Sequence, residues 1–235
     1  MGIETTPRPL WLTFDCYGTL IQWDEGLVAA VEALLARRSE NAPEAARFLA
    51  VFDRHEHRLE QLAPHRSFRD VTGESLRLTM QEFGLEHRAA DSDALIASVS
   101  AMPPHPEVPA ALAELKAMGF RLCIVSNTDD DIIAGNVAQL GGSVDRVVTA
   151  QQARAYKPSR RIFEFAHGAL GVAKEDVVHI CASPHLDLAA ARDMNFRCIW
   201  IDRGSGRKPL PDYTPDAVFP TLDRVPEAFR QWGWG

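Results

Sequence analysis

A strand-length apolar run, Leu10–Phe14, is followed by more than a hundred residues before the next comparable run, Leu122–Val125. Beyond that point such runs recur closely, at Arg146–Thr149, Val177–Cys181, Cys198–Ile201 and the shorter Ala217–Phe219. They are nearly continuous in apolar character, the pattern of strands covered on both faces. Helical stretches lie between them at Val108–Met118, Asp130–Gln139, Ser159–Leu170 and Leu186–Met194. This alternation builds a doubly wound, mainly parallel sheet. The first interval breaks the rhythm, because crossovers in such sheets are short. Its sequence reads as helices instead: Asp24–Arg38, Pro43–Leu62, Phe68–Phe83 and Asp91–Val99 carry apolar residues at helical spacing. We therefore expect an α/β core of residues 1–21 and 103–235, with a helical cap of residues 22–102 inserted after the first strand. Pro103-Pro104-His105-Pro106 supplies the return hinge, and Gly204–Pro215 reads as a loop.

Charge and composition narrow the partners. A net charge of −7 disfavours nucleic acid and anionic membrane surfaces. No apolar run approaches the roughly 18–20 residues that span a bilayer. The opening MGIETTPRPL lacks the basic region and apolar stretch of a secretory signal. Pro7 and the early strand argue against myristoylation at Gly2. The four cysteines, Cys16, Cys123, Cys181 and Cys198, form no CxxC pair, and three fall in strand runs. Free thiols and a reducing, cytoplasmic setting are expected.

Open α/β sheets bind ligands at the carboxyl ends of their strands, so the residues just past each run carry the chemistry. Asp15 follows the first run, ahead of a tight turn at Gly18. Its carboxylate either faces the crevice from a rigid element or caps a following helix. Ser126 and Asn127 close the second run and either hold a substrate anion or cap the helix starting near Asp129. Lys157, between Tyr156 and Pro158, reads in isolation as a surface lysine, and Asp187 as a first-turn helix charge. Taken together, an Asp, a Ser-Asn, a Lys-Pro and an Asp, each following a core strand in order, are far more specific.

The segment Phe14-Asp15-Cys16-Tyr17-Gly18-Thr19-Leu20 resembles the first motif of the haloacid dehalogenase superfamily. Ser126, Lys157 and Asp187 resemble its later motifs, and the likeness covers nearly the whole chain, including the position of the cap. It implies a Rossmann-like core. Phosphatases of this type carry a second Asp where Tyr17 stands, to protonate the leaving group, and a further acid where Ser183 stands. A phenol is no carboxylic acid near neutrality, and Mg²⁺ wants several hard oxygens. Asp-x-Tyr-Gly-Thr is similar instead to the L-2-haloacid dehalogenases, which work without metal or other cofactor.

This resemblance implies hydrolysis of a short 2-haloacid by covalent catalysis. Asp15 attacks C2 and expels halide; water then hydrolyses the ester to a 2-hydroxy acid of inverted configuration. Lys157 becomes the charge partner of Asp15, and Asp187 orients Lys157 and the water. Ser126 and backbone amides bind the substrate carboxylate, Asn127 cradles the halide, Thr19 hydrogen-bonds Asp15 and Tyr17 walls the pocket. Arg54, with Arg58 second, stands for the cap arginine that meets the halide. The implied partners are a small 2-haloacid or related carboxylate and a second copy of the chain, paired through apolar faces of the cap. Three other readings stay open: a related 2-substituted acid as substrate, a small-metabolite phosphatase of the same superfamily, and a catalytically weak binding protein on that scaffold.

The chain departs from the family where Pro184 replaces an Asn thought to help the water, with His185 either compensating or capping. His55-Glu56-His57 lacks the spacing that puts two histidines on one helical face, which argues against zinc. Asp129-Asp130-Asp131 reads as helix capping rather than a cation site, and Cys16 as core packing. Trp23 reads equally as pocket wall and as packing.

Overall fold

The computed structural model describes residues 3–38 and 42–235, so Met1 and Gly2 lie outside it. Six strands form one sheet: β1 (Trp11–Phe14), β2 (Arg121–Ser126), β3 (Arg146–Thr149), β4 (Val177–Cys181), β5 (Arg197–Ile201) and β6 (Ala217–Phe219). Their order is β3-β2-β1-β4-β5-β6, and every pairing is parallel. β1 and β4 are buried at every position and β2 at all but Arg121, which is why their apolar runs are unbroken. The chain order reverses between β1 and β4, the switch point where crevices open in such sheets.

Between β1 and the next core helix run α1 (Trp23–Leu35), α2 (Ala45–Glu60), α3 (Phe68–Glu82) and α4 (Ala89–Ala101). They pack on one another, α2 on α3 and α1 on both α2 and α4. The remaining helices are α5 (Val108–Ala117), α6 (Asp130–Val137), α7 (Ala150–Ala153), α8 (Arg160–Leu170), α9 (Ala189–Met194) and α10 (Arg224–Gln231). Two of these, α7 and α10, are not among the helices expected from the sequence, and α7, with four residues, is too short for periodicity to reveal. The expected helix Leu186–Met194 is divided, a π-helical turn over Pro184–Leu188 leading into α9.

The chain leaves and re-enters the sheet side by side. Gln22 N–H donates to Pro103 O (3.0 Å), and His105 N–H donates to Leu20 O (2.9 Å). The buried amide of Asn136 on α6 donates to Val99 O (2.9 Å) and Met102 O (3.1 Å) at the end of α4. Its oxygen accepts from the Tyr17 hydroxyl at 3.0 Å, so one side chain joins α4, α6 and the turn after β1. Asp129 does cap a helix, but not its own. Its carboxylate accepts from Phe68 N–H and Arg69 N–H, both at 2.9 Å, and so satisfies the open end of α3, some sixty residues away.

α4 meets α6 closely enough that glycine is required at Gly135. A Cβ there would sit 2.4 Å from the Ser100 backbone oxygen and 2.5 Å from its hydroxyl. Gly135→Ala should therefore destabilise the fold by about 1–3 kcal/mol despite alanine's better helix propensity. That is a drop of roughly 2–12 °C in Tm for a chain of this size. Gly168→Ala on α8, where nothing lies within 4 Å of the added carbon, should be neutral or stabilising. Thermal melts of the two variants check the contrast, and equal shifts would refute it.

Candidate active site

Asp15 is the first residue past β1, and its N–H still donates to Ile180 O of β4 at 3.0 Å. The side chain is thus delivered to the switch point by the sheet itself. The turn behind it needs Gly18, whose φ is +81°, and closes with Gly18 N–H on Ile21 O at 2.9 Å. Thr19, fully buried in that turn, donates to Asp15 Oδ2 at 2.6 Å and accepts from Ala182 N–H at 2.8 Å. Oδ1 of Asp15 accepts from Lys157 Nζ at 2.7 Å, and the same ammonium donates to Asp187 Oδ1 at 2.8 Å.

Lys157 and Asp187 are wholly inaccessible and Asp15 is 6% exposed. Burial opposes the charge on Lys157, but Asp15 and Asp187 outweigh it and hold the ammonium above the ordinary lysine range. Burial likewise pushes Asp187 up, and Lys157 and His179 bring it below the usual carboxylate value. The backbone of Lys157 is held as firmly as its side chain. Asn127 Oδ1 accepts from its N–H at 2.7 Å, and Asn127 Nδ2 donates to its carbonyl at 3.3 Å.

The group opens onto a cavity of about 390 Å³, lined by Asp15, Tyr17, Ser126, Asn127 and Lys157 on its sheet side. Trp23 joins them from α1, its ring 4.9 Å from that of Tyr17. The Tyr17 hydroxyl is occupied on Asn136, and burial first, then neighbouring charges, raise its pKa. Ser126 is fully buried and its hydroxyl has no hydrogen-bond partner among the described residues. Cys16, beside the carboxylate in sequence, is buried in the core, where burial and Asp15 raise its pKa and keep it a thiol.

Arg54 is not part of this cavity. Its guanidinium donates to both oxygens of Glu82, at 2.8 and 2.7 Å, with its side chain 60% exposed. α2 buries Phe48, Phe52, Glu56 and Leu59, and Arg54 lies about 200° around the helix from Phe52 and Glu56. Arg58 is exposed as well. α2 turns Asp53, Glu56, His57 and Glu60 to the cavity instead, and Arg207 and Lys208 reach it from the loop after β5. Burial, then Asp53, pushes Glu56 up to about 8. Burial and Glu56 hold Glu60 well above its ordinary value, although Lys157 and Asn127 draw it down.

His179, in the middle of β4, is the other residue the sequence did not single out. Its Nε2 lies 2.9 Å from Asp187 Oδ1 and its Nδ1 2.8 Å from Thr13 Oγ1 on β1. A carboxylate only accepts, so Nε2 is the donor to Asp187. A histidine within an otherwise apolar strand was the available signal.

The donor set does not fit Mg²⁺. The facing oxygens of Asp15 and Asp187 lie on an ammonium, the other Asp15 oxygen lies on Thr19, and Ser183 replaces a further acid. His179, Cys181 and Asp187 also cluster within 4.8 Å. Burial holds the Cys181 thiol well above its ordinary pKa, and Asp187 Oδ1 is already shared by Lys157 and His179, so this group is not a metal centre.

The chain is 28% identical over 227 residues to an (S)-2-haloacid dehalogenase of Pseudomonas sp. (strain YL), covering 93% of this chain and 94% of that protein. Its fold is that of the L-2-haloacid dehalogenase of Xanthobacter autotrophicus, with a TM-score of 0.81 at 23% identity, over 94% of this chain and 98% of the other. The structure of that enzyme with chloropropionic acid covalently bound superposes with a TM-score of 0.79 at 21% identity, over the same shares. The match to the haloacid dehalogenase-like hydrolases runs over residues 11–195, from β1 through α9. With Asp15, Lys157 and Asp187 all inside that stretch, the chain belongs to the haloacid dehalogenase-like hydrolase family.

Proposed function

We propose that this hydrolase is a dehalogenase of (S)-2-haloacids that works through an ester on Asp15. One observation carries the reading. The Asp15 carboxylate is held on both oxygens at the cavity, while a phenol locked on Asn136 stands where a leaving-group acid would be needed. A halide needs no proton to leave; an alkoxide does. The named activity of the Pseudomonas relative supports the same chemistry.

In the first step an Asp15 oxygen attacks C2 from behind, and the carbon–halogen bond breaks with both electrons going to the halide. Water then adds to the Asp15 carboxyl carbon, the bond from that carbon to the ester oxygen breaks, and the 2-hydroxy acid leaves. The net balance is one water consumed, and one halide and one proton released. Lys157 stabilises the attacking carboxylate, and the Ser126 hydroxyl binds the substrate carboxylate. Asp187 Oδ2 carries no hydrogen bond from the described residues and is the acceptor left to orient the water. In this reading residues 22–102 are the cap over a core of 1–21 and 103–235. Four buried free cysteines support a reducing, cytoplasmic setting. Among the described residues no helix is long and apolar enough to cross a membrane. A homodimer is the assembly the reading expects.

A single turnover of (S)-2-chloropropanoate with excess enzyme in ¹⁸O-water should leave the label in Asp15 and none in the product; a labelled product hydroxyl would mean direct attack by water. Asp15→Asn should abolish halide release.

Halide release should also be unchanged after EDTA. Halide release lost in chelator and recovered with Mg²⁺ would overturn the metal-free mechanism, and Mg²⁺-dependent phosphate release without halide release would favour the phosphatase instead.

His179→Leu removes the donor that fixes Asp187. It should lower kcat by roughly 10–100-fold with a parallel fall in KM, so that kcat/KM changes little, and ester should build up on Asp15, visible by mass spectrometry. His179→Gln, which keeps an N–H donor, should recover part of the rate. A loss of rate without ester would assign His179 to the fold alone.

A further inference from the structure

In the proposed reaction the halide leaves on the side of C2 away from the attacking Asp15 oxygen, so the groups that receive it belong to another part of the cavity wall. A donor is needed there, because the halide takes on a full negative charge as the bond breaks. The guanidinium expected to supply it is engaged elsewhere. Arg54 lies outside the cavity on Glu82, and Arg207, which lines it, is held by Asp24 through hydrogen bonds of 2.8 and 2.7 Å. Lys157 is inaccessible and given to Asp15 and Asp187.

Glu60, the last residue of α2, lines the same cavity as Asn127 and Lys157 and is half-buried. The end of α2 is fixed at that place by Gln61 Nε2, which donates to Lys157 O at 3.5 Å. The backbone of Lys157 also settles which way the Asn127 amide points. Oδ1 accepts from Lys157 N–H at 2.7 Å, so Nδ2 is the donor, with one hydrogen on Lys157 O at 3.3 Å and the other for the Glu60 carboxyl. One oxygen of Glu60 is thereby an acceptor on Asn127. The local charges keep the other protonated. Asp15 and Asp187 already outnumber the Lys157 ammonium, Glu56 stands one turn earlier on α2, and Glu60 has no ion pair among the described residues. Burial first, then Glu56, hold its carboxyl well above the ordinary range. The Ser126 hydroxyl, fully buried and unpartnered among the described residues, is a separate sign that a polar ligand belongs in this cavity.

We propose that Glu60 is a catalytic residue of the first step, donating the O–H of its carboxylic acid to the departing halide beside the Asn127 amide, in place of a cap arginine. This rests on the dehalogenase reading and names a further residue of its site. As the carbon–halogen bond breaks, both its electrons go to the halide, and the Glu60 O–H hydrogen-bonds the new anion. Hydrogen halides are stronger acids than a carboxyl, so the proton stays on Glu60 and the balance of the reaction is unchanged. An ionised Glu60 would repel the halide, so a carboxyl at this place serves the step only while it is neutral.

Rapid-quench single turnovers of (S)-2-chloro-, 2-bromo- and 2-iodopropanoate follow halide release and the ester on Asp15 separately. Glu60→Met keeps the length of the side chain and removes the donor. It should slow ester formation by roughly 10–100-fold for chloride and least for iodide, because chloride accepts the strongest hydrogen bond of the three. Ester hydrolysis should keep its wild-type rate, and Glu60→Gln, which retains an N–H donor, should recover part of ester formation. Equal losses for the three halides, an equal loss in ester hydrolysis, no recovery with glutamine, or a methionine variant as fast as the wild type overturns the role of Glu60 and leaves the dehalogenase reading standing. Halide release by the wild type from none of the three overturns that reading, and the role of Glu60 with it.

Discussion

The ammonium of Lys157 is excluded from water, and the crevice is organised around the two carboxylates that share it. Such a group contributes little to net stability, since the attraction mostly offsets the desolvation of its members. Its value is geometric. Asp15 arrives at the end of β1, Lys157 on the loop beyond β3, and Asp187 just past β4, so the three meet only if the sheet holds its register. His179 extends the constraint inward, because a one-residue slip of β4 would turn its ring to the other face and release Asp187. The fold and the placement of Asp15 are therefore specified by the same strand pairings.

That dependence explains what could be read from the sequence. Parallel strands buried on both faces leave nearly continuous apolar runs, so β3, β4 and β6 match the expected bounds, β1 and β5 differ by a residue at one end, and β2 by a residue at each end. Asp15, Lys157 and Asp187 were legible because each directly follows a strand or its loop. Residues positioned by tertiary contacts were not. Asp129 looked like a cap for the helix it begins, yet it caps α3, a pairing that depends on how distant helices dock. Arg54 has the charge to meet a halide, but the period of α2 faces it away from Phe52 and Glu56. The same period puts Glu56 on the buried stripe, a polar residue in an apolar register, which is the sign in the sequence that α2 turns acids to the cavity. His179 was hidden by the strand around it.

The buried charged group and the rest of the cavity lining come from different parts of the chain. Asp15, Lys157 and Asp187 lie just past strands or on the loop beyond one, braced by Thr19, Asn127 and His179 through short hydrogen bonds. Much of the remaining lining comes from the helices between β1 and α5 and from the loop after β5, where side chains can change without disturbing a strand. Tyr17 and Asn136 join the two parts, since the hydroxyl of one and the amide of the other tie the turn behind Asp15 to the end of α4. The Tyr17 phenol that excludes a leaving-group acid is also a structural pin, so the limit on chemistry and the placement of the helices share a side chain.

Pro184 bears on the second half of the reaction. It opens the π-helical turn Pro184–Leu188, where Ser183 O accepts from both Asp187 N–H (3.1 Å) and Leu188 N–H (3.3 Å). Proline is tolerated at the start of such a turn because its missing N–H would have no partner there. The Asp187 bond spans four residues, as in an α-turn, and the Leu188 bond five, so the turn widens around the residue that meets Lys157 and His179. In the proposed mechanism the loss of an asparagine at this position removes a donor to the water but leaves the acceptor, Asp187 Oδ2, in place. Ser183 and His185, which flank Pro184, both line the cavity and both carry donors. Ester hydrolysis then relies more on how rigidly Asp187 is held than on an amide beside it, and that rigidity comes from the Lys157 ammonium on one side and the His179 ring on the other.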